Sequence, residues 1–119
     1  MTGNRRAFRV LVRNALFRRV ELAALRRTAA LAELGHPDEE TWREQLDAYF
    51  EEHDSIDTGP DARGPRMLVV QRLERTWEVQ QILGDPEGFH DWRILATVDL
   101  VASDDEGELV LDVTGLVRL

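Results

Sequence analysis

The apolar residues of this chain repeat with a helical period up to about residue 53 and with an alternating period from residue 67 onward, and the change falls across DTGPDARGPR at 57–66. A chain that switches period once, without returning, places helices first and strands second. That order predicts an α+β domain in which two N-terminal helices cover one face of a four-stranded antiparallel sheet. At 119 residues one core can be buried but not two, so residues 1–119 form a single domain, with 1–54 helical and 66–119 the sheet.

The first helix is expected over about Asn4–Leu34, a stretch free of Pro and Gly and rich in Ala, Leu, Arg and Glu. Phe8, Val12, Ala15, Leu16, Val20 and Ala23 give it one apolar face, and Gly35 stops it. Pro37 with Asp38, Glu39 and Glu40 then opens a second helix, in which Trp42, Leu46, Tyr49 and Phe50 recur at helical spacing until His53. Beyond the Gly-Pro corner, Met67, Val69, Gln71 and Leu73 share one strand face, as do Trp77, Val79, Gln81 and Leu83 on the next strand. WRILATVDLVA and ELVLDVTGLVRL read as a closing hairpin around SDDEG.

With a turn at Asp104–Gly107, Trp92, Ile94, Ala96, Val98 and Leu100 share an inner face with Leu109, Leu111, Val113, Gly115 and Val117. Leu95 then lies opposite Leu116 on the outer face, Val101 opposite Val110, and Asp99 opposite Asp112. Such a mixed surface suits cover by a second copy, so a homodimer through the sheet is expected.

Charge divides along the chain. Eight arginines and two acids lie in residues 1–34, against seven arginines and 21 acids in the remainder, for a net charge of −8. The overall balance disfavours generic nucleic-acid binding, but the arginine-rich helix makes Arg5, Arg6, Arg9 and Arg13 the candidate contacts to RNA phosphates. The chain has no Lys, which excludes a Schiff-base or phosphate-loop lysine, and no Cys, which excludes disulfides, thiolate nucleophiles and cysteine zinc sites. No apolar run approaches a membrane span, and AFRVLVRNALF, interrupted by Arg9 and Arg13, lacks a signal-peptide pattern. A cytoplasmic location without membrane contact is the expectation.

The corner itself does not fit a phosphate cradle: Pro60 and Pro65 lack N–H donors, and the loop leads into a strand instead of a helix. It reads as a stiff connection between layers, with Asp61 and Arg63 available to pin it. If the domain holds a pocket between helices and sheet, Tyr49, His53, Asp57, Trp77 and Asp99 are its candidate lining, with His or carboxylate as acid or base. His53, Asp54, Asp57, His90 and Asp91 lack the spacing of a metal motif, so neither a metal nor a cofactor is expected.

RNALFRRVELAAL at 13–25, TGPDARGP at 58–65 and DPEGFHDWRILATVDLVASDDEG at 85–107 resemble the C-terminal accessory region, of uncharacterised function, attached to actinobacterial DEAD/DEAH-box helicases. The resemblance covers most of the chain and implies a role beside an RNA helicase. GxxxxGK[ST] and the DExD or DExH box are missing, so helicase and ATPase activity do not carry over. The layer order is also similar to cystatin-like and nuclear-transport-factor-like rolls, which host interaction modules, ligand binders and enzymes alike. The expected function is a non-catalytic interaction domain, dimeric and associated with a helicase or RNA complex. The alternative is a small-molecule-binding or enzymatic roll.

Overall fold

A computed structural model describes all 119 residues. Helices α1 (Arg5–Ala24), α2 (Thr28–Glu33) and α3 (Glu39–Glu52) precede two single 3-10 turns, Asp61–Arg63 and Pro65–Met67. Strands β1 (Leu68–Arg72), β2 (Thr76–Ile82) and β3 (Trp92–Asp99) follow, then helix α4 (Leu100–Glu106) and strand β4 (Leu111–Arg118). The strands form one antiparallel meander in the order β1-β2-β3-β4. The expected α+β architecture is therefore present, with two additional short helices. None of the helices is long and apolar enough to cross a membrane.

The inner sheet face is built by alternation. Trp77, Val79 and Gln81 of β2 and Trp92, Ile94, Ala96 and Val98 of β3 are all buried. Phe8, Val12, Leu16 and Val20 of α1 and Trp42, Leu46 and Tyr49 of α3 close over this face. Phe8 meets Trp77 edge-on at 5.1 Å, and Tyr49 meets Trp92 edge-on at 5.7 Å, so aromatic pairs fasten the two layers at both ends of the strands. Buried Gln81 donates to the Met67 carbonyl at 3.1 Å and ties β2 to the Gly-Pro corner. In β1 the inward residues are Leu68 and Val70, so the face shared by Val69, Gln71 and Leu73 is the outer one.

Two expectations need correction. The first helix does not continue to Leu34: it stops at Ala24, and Arg26 takes a left-handed φ of 57° before α2 begins. The bend folds α2 back so that Leu31 is buried, and Arg19 donates to the Leu34 carbonyl at 3.3 Å. A left-handed residue costs about 1–2 kcal/mol, and burial of a leucine offsets it with about 1.5–3 kcal/mol.

The second concerns the last hairpin. Residues 100–106 are helical because Asp99 caps them, accepting the Ala102 N–H at 2.9 Å, and Gly107 ends them at φ 71°. Ser103 fastens the insertion by donating to the Asp99 carbonyl at 2.6 Å and accepting the Val110 N–H at 2.9 Å. Pairing therefore runs Val98–Leu111, Thr97–Asp112 and Leu95–Gly115, with a bulge beside Ala96. Asp99 faces Thr76 rather than Asp112, and Leu116 turns inward and is buried.

The bulge depends on Gly115, whose φ is 144° and whose missing Cβ would lie 2.8 Å from Gln45 Oε1. That oxygen accepts the Leu116 N–H at 2.7 Å, joining α3 to β4. Gly115→Ala is expected to destabilise the domain by about 1–3 kcal/mol. Gly107→Ala meets open space and costs only the left-handed φ, about 1–2 kcal/mol. Urea unfolding of both variants checks the order: a smaller loss at 115 than at 107 would show that the bulge does not require glycine.

Candidate functional site

At the C-terminus of α3 the chain leaves the helix at His53, whose backbone N–H still bonds the Tyr49 carbonyl at 3.0 Å. The His53 ring is buried, 3% exposed, beneath the turn GDPEGFHD. Asp85 shapes that turn by accepting the Phe89 N–H at 2.8 Å and the His90 N–H at 2.7 Å, while Gly88 and His90 adopt left-handed φ values of 75° and 54°. The turn is thereby bent so that Glu87 and Asp91 both reach the imidazole. Nδ1 lies 2.5 Å from Glu87 Oε1, Nε2 lies 3.2 Å from Asp91 Oδ1, and Asp85 Oδ2 is 3.8 Å from Nδ1.

Two carboxylates on the two ring nitrogens can both accept only from an imidazolium. Burial opposes that charge, but the bonds to Glu87 and Asp91 and the nearby Asp85 and Asp91 charges outweigh it, so the His53 pKa is raised. For Asp85 burial likewise disfavours charge, and the Phe89 and His90 N–H groups with His53 outweigh it, so its pKa is lowered. Tyr49 donates to the Ser55 carbonyl at 2.6 Å, and burial followed by the charges of Asp85, Glu87 and Asp91 pushes its pKa up. A phenol so placed remains a donor and does not serve as a base.

His53, Asp85 and Glu87, and likewise Glu52, His53 and Asp91, bring donor atoms within 4.8 Å of one another. Nδ1 and Glu87 Oε1 stand at hydrogen-bonding distance. The cluster is a charge-assisted clamp joining α3 to the β2–β3 turn.

The residues expected to line an interior pocket do not gather. Tyr49 and His53 are neighbours, their rings 5.1 Å apart. Trp77 and Asp99 lie at the opposite end of β2 and β3, where Trp77 packs on Phe8 and Asp99 caps α4. Asp57 is exposed at the His53 end, next to Asp85: its N–H bridges to the Gly84 carbonyl at 2.7 Å and its Oδ1 accepts the Gly59 N–H at 2.9 Å. Asp85 and Glu87, the partners that define the clamp, were not among the sequence candidates. Their signal is the DPEG turn, but nothing in its spacing points to His53.

The arginines arrange differently. Arg6, Arg9 and Arg13 fall three and four residues apart on one face of α1 and border a depression of about 90 Å³ with Val10, Pro65 and Leu68. Arg9 donates to the Leu68 carbonyl at 3.3 Å, and Arg13 Nε is buried without a partner. None of the three forms an ion pair in the fold. Arg5 is exposed nearby on the first turn of the helix. Other arginines have structural partners: Arg19 donates to the Ala15 carbonyl at 2.9 Å, Arg26 stacks 3.8 Å from the Phe50 ring centre, and Arg63 sits 4.7 Å from that of Phe17.

Beyond Pro65 a broader depression of about 530 Å³ is bordered by Pro60, Asp61, Gly64, Arg66, Met67 and His90. The Gly-Pro corner therefore stands between two surface recesses, one cationic and one mixed.

An α+β domain with a buried imidazolium clamp and an arginine-bordered recess is the class these features define. The family described as Domain of unknown function (DUF3516) matches residues 1–116, and the chain belongs to it. No curated protein and no solved structure matches the chain.

The clamp has a definite pH signature. Because the His53 pKa is raised, its contribution is complete below the ordinary value of 6.5 and is lost as pH rises through the raised one. Asp85 runs the opposite way: its contribution is present above 3.8 and is lost as pH falls through its lowered value. In urea unfolding, the stability difference between wild type and Glu87→Gln should be largest between about pH 5 and pH 6.5 and should narrow at higher pH. A difference that instead widens as pH rises through this range would show that the clamp is not charged.

Proposed function

We propose that this chain is a non-catalytic accessory domain that works beside an RNA helicase and contacts RNA phosphates through α1. The observation that carries the reading is the convergence of Arg6, Arg9 and Arg13, unpaired in a chain of net charge −8 that has 23 acids available to pair them. A recess bordered by guanidinium groups suits a phosphate. The resemblance to helicase-attached regions supplies the setting, and the layer order fits a cystatin-like or nuclear-transport-factor-like roll. Membrane contact and a cofactor have no part in this reading, and a cytoplasmic location is part of the proposal.

The test is anisotropy of a labelled single-stranded U15 RNA over a salt series. Contact with three phosphates gives a slope of log K against log salt of about −2. Arg6→Gln, Arg9→Gln and Arg13→Gln together should abolish the slope and most of the affinity. Tight binding that ignores salt, or survives the triple change, would refute the electrostatic contact.

The same reading has two copies meet through the outer sheet face. There Arg93 donates to Gln80 at 2.6 Å and Thr97 to Glu78 at 2.8 Å, while Leu95 and Val69 are left for cover. Leu116, expected in this patch, is in the core and takes no part. Light scattering should give a dimer mass that Leu95→Arg converts to a monomer; a monomer mass for wild type would remove this element and leave the RNA contact standing.

A further inference from the structure

We propose that the recess between the Gly-Pro corner and His90 is a base-reading subsite for guanine in single-stranded RNA. It deepens the RNA reading above and rests on it. Pro65 borders both recesses, so a strand with phosphates on Arg6, Arg9 and Arg13 carries its next base over Pro65 into the larger one. The sizes divide the labour: about 90 Å³ on the arginine side, against about 530 Å³ on the other, within the usual small-molecule range of about 300–1,000 Å³.

The walls have the chemistry of a base site. Pro60, Pro65 and Met67 offer apolar surface, and Arg66 a cation for the following phosphate. His90 brings an exposed imidazole to the rim, its left-handed backbone held there by the 2.7 Å bond from its N–H to Asp85. Unstacked bases in single-stranded RNA are held by such rings and read along their Watson–Crick edges.

Three carboxylates approach this part of the surface, and only that of Asp61 has both oxygens unengaged. Asp57 Oδ1 accepts from Gly59, and both oxygens of Asp85 accept from the turn. Asp61 is exposed on the groove with its carboxylate unengaged by the backbone around it. An ionised carboxylate only accepts, and its two oxygens match two adjacent donors. Guanine alone presents such a pair, N1–H beside the N2 amino group. Adenine and cytosine each set one amino donor beside a ring acceptor that a carboxylate repels, and uracil sets one N–H between two carbonyls.

The test uses fluorescein-labelled U8 and the same octamer with G, A, C or inosine at the fifth position. Guanine should bind at least about fivefold tighter than U8, and inosine, which lacks the N2 amino group, should lose most of that gain. Asp61→Asn should erase the preference without weakening U8 binding, since it removes only a carboxylate that repels the phosphates. Guanine preference that survives Asp61→Asn, or no discrimination among bases while the arginine-dependent slope holds, overturns the subsite and leaves the RNA contact standing. Absence of salt-dependent RNA binding overturns both.

Discussion

Everything in this molecule is placed by the packing of two helices onto one face of β2 and β3. The alternation of Trp77, Val79 and Gln81 with outward polar residues, repeated by Trp92, Ile94, Ala96 and Val98, leaves a single apolar surface to cover. α1 and α3 must divide it between them, and the pairs Phe8–Trp77 and Tyr49–Trp92 fix where each lies. Truncating one such aromatic costs about 3–5 kcal/mol, a large part of the about 5–15 kcal/mol by which a domain is stable. Polar features then fall where the packing leaves off. The Tyr49–Trp92 end puts His53 under the β2–β3 turn, and the position of α1 brings its arginines against Pro65 and Leu68.

The charges follow a related logic. An exposed ion pair stabilises by about 0–1 kcal/mol, so leaving Arg6, Arg9 and Arg13 unpaired costs the fold little. At physiological salt, fields are screened over about 8 Å, and a local cationic recess persists on a chain whose net charge is −8. The acids are gathered elsewhere: Asp85, Glu87 and Asp91 face His53, while Asp104, Asp105 and Glu106 lie on α4. The buried charges of His53 and Asp85 are paired and hydrogen-bonded, since an isolated buried charge is far more costly.

Local periodicity carried much of this into the sequence. The span of α3, the inner faces of β2 and β3, and the change of period at 57–66 are all readable because each residue's orientation follows from its neighbours. The break after Ala24 is not readable, since no Gly or Pro marks it and its benefit is the burial of Leu31 against a distant part of the chain. α4 was missed for another reason: LVASDDE alternates well enough to pass for a strand end, and only the Asp99 cap and the two bonds of Ser103 make it helical. The register error followed directly, because a helix inserted in a hairpin resets every pair beyond it. The His53 clamp joins residues 34 and 38 positions apart, a separation that composition and spacing do not encode.

The Gly-Pro corner shows how one physical fact can serve two ends. Prolines at 60 and 65 remove the N–H donors a phosphate cradle needs, and the proposed phosphate contact falls instead to the guanidinium groups of α1. The same rings fix the backbone on either side of Asp61, and the 3-10 turns Asp61–Arg63 and Pro65–Met67 are closed by N–H to carbonyl bonds from Gly64 to Asp61 at 3.1 Å and from Met67 to Gly64 at 3.0 Å. Gln81, buried in β2, holds the Met67 carbonyl from beneath. A recess whose walls are already ordered loses little conformational entropy when a ligand arrives. The stiffness that makes these residues a corner between layers therefore also makes them a better wall for a base than a mobile loop of the same composition.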